Sequence, residues 1–174
     1  MGRAQVRTAV TSYLQGASLS YVGTIYAARP VIVEESAYTQ DMNGRAIAQS
    51  ANGSSAVLVV NIPSDKRQRQ ADTGRGAVND SEIHRMALEV WFASGSGDGV
   101  KAQEDYDAVI DSIVVALRAN PVAADGTVVW SMGEFRAGVE HEQTQPYTSA
   151  DGMTVLINGT IRFEAWEWLA GTNV

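Results

Sequence analysis

The sequence predicts a single α+β domain over residues 1–174: a mainly antiparallel sheet of about four strands covered by two main helices, with a long loop between the first two strands. Three observations carry this. Ser81 to Ala93 alternates strictly, with His84, Met86, Leu88, Val90 and Phe92 on one parity and Arg85, Glu89 and Trp91 on the other, as a strand with one face on a core must. Two stretches, Arg3 to Gln15 and the run beginning near Asp98, carry wide apolar stripes at helical spacing. The order helix, two strands, helix, two strands then suits helices packed on a sheet.

The first helix places Val6, Ala9, Val10, Tyr13 and Leu14 on its apolar stripe and Arg3, Arg7 and Thr11 away from it, and Gly16 is positioned to end it. Ala17 to Arg29 is weakly patterned, with Ile25 and Tyr26 as its anchors, and Arg29-Pro30 opens an extended piece because a residue before proline avoids helical backbone. Glu34 to Gln49 is compatible with a short helix interrupted at Asn43-Gly44. Ala56 to Ile62 is apolar on both parities apart from Asn61, which suits a strand near the middle of a sheet, and Pro63 is expected to end it.

Ser64 to Asp80 is then far longer than the roughly 2–5 residues a hairpin needs. It sets Lys66, Arg67, Arg69 and Arg75 against Asp65, Asp72 and Asp80 and has almost nothing apolar to bury, so it is expected to become ordered only against a partner. After the central strand, Asp98 is a cap for a second helix bearing Ala102, Tyr106, Val109, Ile110, Ile113, Val114 and Leu117, which Asn120-Pro121 terminates. Thr127 to Arg136 reads as a third strand, and Ala137 to Gly152 as a second long polar connection. In Met153 to Trp168, Asn158-Gly159 is a hairpin signal, yet one parity continues through it, which favours one long strand with a glycine kink or bulge.

Composition narrows the function. With 45% hydrophobic residues and a net charge of −7, the chain can bury a core and offers no broadly cationic surface for nucleic acid or an anionic membrane. It has no cysteine, so thiolate chemistry and zinc–thiolate sites are excluded. No secretory signal is read at its start, and no apolar run reaches the roughly 20 residues that span a bilayer, so the expectation is a protein made in the cytoplasm with no membrane partner.

Catalytic signatures fail in turn. Gly95-Ser96-Gly97-Asp98-Gly99 has its glycines at the wrong spacing for a dinucleotide site and reads as a helix entry. His141-Glu142-Gln143-Thr144-Gln145 lacks the second histidine that a zinc-protease helix requires; with Glu140 it reads as a solvated acidic loop. His84 falls on the core parity and reads as a satisfied buried or interface histidine. No catalytic residue, cofactor or metal is therefore expected. Trp91, Trp166 and Trp168 fall on the parity opposite the core row, which fits either a subunit interface or a sheet covered on both faces. Asp107 and Asp111 lie four apart on the polar side of the second helix, a solvent-facing surface or a contact for a neighbour's basic loop.

On these residues the chain resembles the tail terminator proteins of long-tailed phages of actinobacteria. The likeness is carried by Thr73-Gly74-Arg75-Gly76-Ala77-Val78-Asn79-Asp80 before the strand Glu82 to Ala93, by Gly97-Asp98-Gly99, and by Gln103 to Val109. Val59 to Pro63 and the late strand Thr160 to Trp168 also fit it. The resemblance implies a virion protein of the tail and neck, assembled in the host cytoplasm as a hexameric ring. That ring would sit on the tail tube protein, stop tube growth, meet the head-closure or connector protein and let DNA pass through an acidic channel. Lys66, Arg67, Arg69, Arg75, Trp91, Asp107, Asp111, Trp166 and Trp168 are the expected subunit and tube contacts. The alternatives are a head-closure or other neck ring and, in another class, a small enzyme or ligand-binding domain using the His141 region.

Overall fold

The computed structural model describes residues 3–28, 53–71, 78–119, 128–131, 139–148 and 154–169. It corrects the expected sheet: the described strands form one seven-stranded mixed sheet, ordered β1-β2-β3-β7-β4, with β5 and β6 also pairing with β7. The strands are β1 (Val22–Tyr26), β2 (Ser54–Ala71), β3 (Val78–Ser94), β4 (Val128–Ser131), β5 (Glu140–Gln143), β6 (Tyr147–Thr148) and β7 (Val155–Leu169), with helices α1 (Arg3–Gly16) and α2 (Gly99–Ala119). β1 runs parallel to β2 and every other described pairing is antiparallel. β1, β5 and β6 escape sequence reading because each is too short to show a period.

The second correction concerns the expected loop. Pro63 does not end the strand: β2 runs on to Ala71 and pairs with β3 from Val78, so only residues 72–77 of that stretch lie outside the described ones. A register shift between Asn61 and Ser64 puts one extra residue on β2 at Ile62-Pro63, and a bulge is where a sheet tolerates a residue without an N–H. Beyond it, Arg67 stands opposite Glu82 and Arg69 opposite Asp80. Opposite charges across a ladder favour pairing, and a search for apolar alternation does not detect them.

The helices cover one face. α1 lies over β1 and β2, and α2 over β7, β3 and β2. Val6, Val10 and Leu14 of α1 and Tyr106, Val109, Ile113 and Leu117 of α2 join Leu58, Val60, Met86, Leu88, Val90, Phe92, Ile157, Ile161 and Phe163 in the main core. The helical stripes therefore hold, except that Thr11 is buried too and its hydroxyl has no partner. Tyr13 donates to the Ala116 carbonyl at 2.5 Å, tying the helices together. The opposite face holds a smaller cluster of Val57, Val59, Trp91, Ala93 and Leu156 with Tyr26 packed against it, so both faces of this part of the sheet are buried.

β7 passes straight through Asn158-Gly159: it pairs with β3 in unbroken register from Ser94↔Val155 to Asp80↔Leu169, with neither turn nor bulge. Position 159 is glycine for another reason. A Cβ there would lie 1.9 Å from the Tyr106 hydroxyl oxygen and 3.1 Å from the Glu142 carbonyl, so the tyrosine occupies the space that any side chain would need.

Candidate functional site

Three places bring polar and charged residues together. The first is the outer end of the sheet. The described core reaches Ile83 and His84 on β3, both buried. Pairing continues for five further residue pairs, from Arg67↔Glu82 to Ala71↔Val78, roughly 17 Å of ladder at 3.3–3.4 Å per residue. β7 accompanies it, with Glu167 opposite Glu82 and Trp168 opposite Ser81.

Sequence and register place the predicted contact residues here unevenly. Lys66 stands opposite Ile83, and Trp166 stands on the other side of that same residue. Trp168 is in register with Ser81, and Arg67 and Arg69 are in register with Glu82 and Asp80. Trp91 is only 8% exposed, packed in the smaller cluster within the subunit. Asp107 and Asp111 are exposed on α2, away from this end. Arg75 lies outside the described residues. The structure thus gathers Lys66, Arg67, Arg69, Trp166 and Trp168 at one end of the sheet and leaves Trp91, Asp107 and Asp111 elsewhere.

The second place is a buried polar knot where β2 begins, β3 ends and α2 starts. Asp105 is 2% exposed, and its carboxylate accepts hydrogen bonds from Ser54 Oγ at 2.8 Å and from Lys101 Nζ. Ser54 Oγ also contacts Ser94 Oγ at 2.8 Å, and the Tyr21 hydroxyl bonds to Asp105 as well. Burial alone would raise the Asp105 pKa, but the bonds from Lys101 and Ser54 together with the lysine charge hold it below its ordinary value. Asp98 caps the same helix as expected, accepting from Val100 N at 2.9 Å and Lys101 N at 3.4 Å. The knot joins β2, β3 and α2 to the turn before β1 through bonds made within the chain. Helical spacing hid it, because an acid in the first turns of a helix reads as a dipole partner.

The third is the His141 region, which forms edge strand β5 where a solvated loop was expected. His141 Nε2 lies 2.9 Å from the Tyr106 hydroxyl, Gln143 exchanges side-chain hydrogen bonds with Gln103, and Glu142 pairs with Arg162 at 2.9 Å. Burial lowers the His141 pKa, while the Asp107 charge works in the opposite direction. Burial, aided by Asp107, raises that of Tyr106. These contacts fasten β5 to α2. A cleft of about 270 Å³ lies elsewhere, between the end of α1 and β1, and is lined by Leu14, Gln15, Ala17, Leu19 and β1 residues with no titratable side chain. Among the described residues no three His, Asp or Glu groups converge as metal ligands, and no helix is long and apolar enough to cross a membrane.

No protein-family profile and no curated protein matches the chain. Among solved structures it resembles a chain from the virion of a native gene transfer agent particle, 12% identical over 92% of this chain and 94% of that one, at a TM-score of 0.35. A likeness that slight carries no argument about fold or role.

Proposed function

We propose that this chain is a structural subunit of a phage-like particle, one that forms a hexameric ring on the end of the tail tube, stops its growth and presents a joint to the head connector. The observation that carries the reading is the outer end of the β2–β3–β7 sheet. Its ladder continues past the core with Arg67, Gln68, Arg69 and Gln70 in register with Glu82, Ser81, Asp80 and Asn79, residue types with little apolar surface to offer a core. The same end carries Trp166 and Trp168, a residue type that concentrates binding energy at interfaces. The sequence resemblance to tail terminators supplies the ring and the tube.

The test is to mix the purified protein with tail tubes and examine it by native mass spectrometry and negative-stain microscopy. A ring, or a monomer that becomes one on the tube, is expected; a monomer indifferent to tubes overturns the reading. Replacing Lys66, Arg67 and Arg69 together by glutamine, which avoids facing acids with acids, is expected to abolish tube capping in a folded protein.

A further inference from the structure

We propose that copies of this chain associate head-to-tail through opposite edges of the sheet, the β1 edge of one copy adding to the β5–β6 edge of the next. The inference rests on the ring reading above and names the contact that would build the ring.

Strand pairing is the first ground. Among the described residues β1 pairs only with β2, and β5 and β6 pair only with β7, so no further described strand lies on either side of the sheet. Sheet edges are usually protected by charge or proline. β1, Val22-Gly23-Thr24-Ile25-Tyr26, has neither.

Charge is the second. Residues 3–28, which form α1 and β1, contain Arg3 and Arg7 and no acid. On the opposite side, α2 and β5 expose Glu104, Asp107, Asp111 and Glu140, and the Gln103–Gln143 and Tyr106–His141 bonds hold these two elements together as one acidic surface. The nearby cations are partly engaged already, Lys101 with Asp105 and Arg162 with Glu142. Joining β1 to β1, or β5 to β5, would place like charges together; joining unlike edges places cation against anion. A contact between two different patches is heterologous, the type that closes into rings.

Shape is the third. The cleft between α1 and β1 opens beside the β1 edge and has Leu14, Leu19, Val22 and Ile25 in its lining. The opposite edge carries Tyr147 on β6, a large side chain that is 42% exposed. An added strand could thus fill the cleft with an aromatic ring as it completes the ladder.

Because the chain has no cysteine, engineered thiols report this contact cleanly. Two double variants, T24C/Q143C and T24C/T148C, and the three single variants are treated with a short flexible bismaleimide, after circular dichroism confirms that each is folded. The doubles are expected to give a ladder of covalent multimers on a denaturing gel and the singles to remain monomeric. Dimers from T24C alone would overturn the proposal in favour of like-edge pairing. Monomeric doubles in a preparation whose untreated protein forms rings would overturn it while leaving the ring reading in place; absence of rings, with or without tail tubes, would remove both.

Discussion

Strands β2, β3 and β7 each run through two environments. From Ser54 to Ile62 the first of them lies between two buried clusters, with Leu58 and Val60 on the helix side and Val57 and Val59 on the other. From Arg67 to Gln70 arginine and glutamine alternate in its sequence, in register with the polar segment Asn79 to Glu82. The hydrogen-bonded ladder is continuous across both, so backbone pairing cannot distinguish them. What distinguishes them is where the stabilising free energy resides. In the inner half it comes from apolar surface removed from water; the outer half has few apolar residue types to bury, and opposite charges set across a ladder contribute roughly 0.2–1 kcal/mol per pair. The inner half is committed to holding the subunit together, and the proposed function assigns the outer half to contact with another molecule.

The largest expected effect breaks the inner half. Leu88 is fully buried, and Leu88→Ala should lower unfolding stability by about 2–5 kcal/mol, read by urea denaturation. Loss of under 1 kcal/mol would mean that the core around β3 is loosely packed. Next comes Gly159→Ala, which should cost about 1–3 kcal/mol because the new methyl group overlaps the Tyr106 hydroxyl. In a Tyr106→Phe background the penalty should fall by at least half, a coupling that a double-mutant cycle measures. Equal penalties in both backgrounds would show that the Glu142 carbonyl, not the hydroxyl, sets the limit.

The outer half should respond in the reverse manner. Neutralising Lys66, Arg67 and Arg69 removes two opposed-charge rows, so stability should change by no more than about 1–2 kcal/mol while tube capping is lost. A stability loss as large as that of Leu88→Ala would erase the distinction between the halves.

How much of this was legible follows the same division. The inner β3 alternation, both helical stripes, the Asp98 cap and the continuity of β7 are written in apolar periodicity and capping chemistry, which a sequence displays directly. The outer ladder is not, because Arg67, Gln68, Arg69 and Gln70 resemble a loop until Glu82 and Asp80 are set opposite them, and register is a property of two segments. β5 was hidden for the same reason: Glu140 to Gln143 is polar throughout, and its strand state comes from pairing with β7 and from the reach of His141 to Tyr106. The reason for Gly159 was equally beyond sequence, since the hydroxyl that excludes a side chain lies on a helix more than fifty positions away.

The smallest expected effect concerns that reach, which joins the inner half to its edge. Burial lowers the His141 pKa below the ordinary 6.5, with Asp107 on α2 opposing it. Glu140 and Glu142 on the same strand would also favour the charged ring, but Glu142 is engaged by Arg162. The folded protein therefore prefers neutral histidine more than the unfolded chain does. Its contribution is complete above pH 6.5 and is lost as the pH falls through the lower folded value. Thermal melts of the parent and of His141→Gln, which cannot titrate, should therefore converge or cross as the pH drops from 7.5 to 5, with a relative change in Tm of no more than about 2 °C because the ring is partly solvated. If the parent instead gains stability relative to the variant in acid, Asp107 outweighs burial, and the edge is held by an ion pair, not by a neutral hydrogen bond.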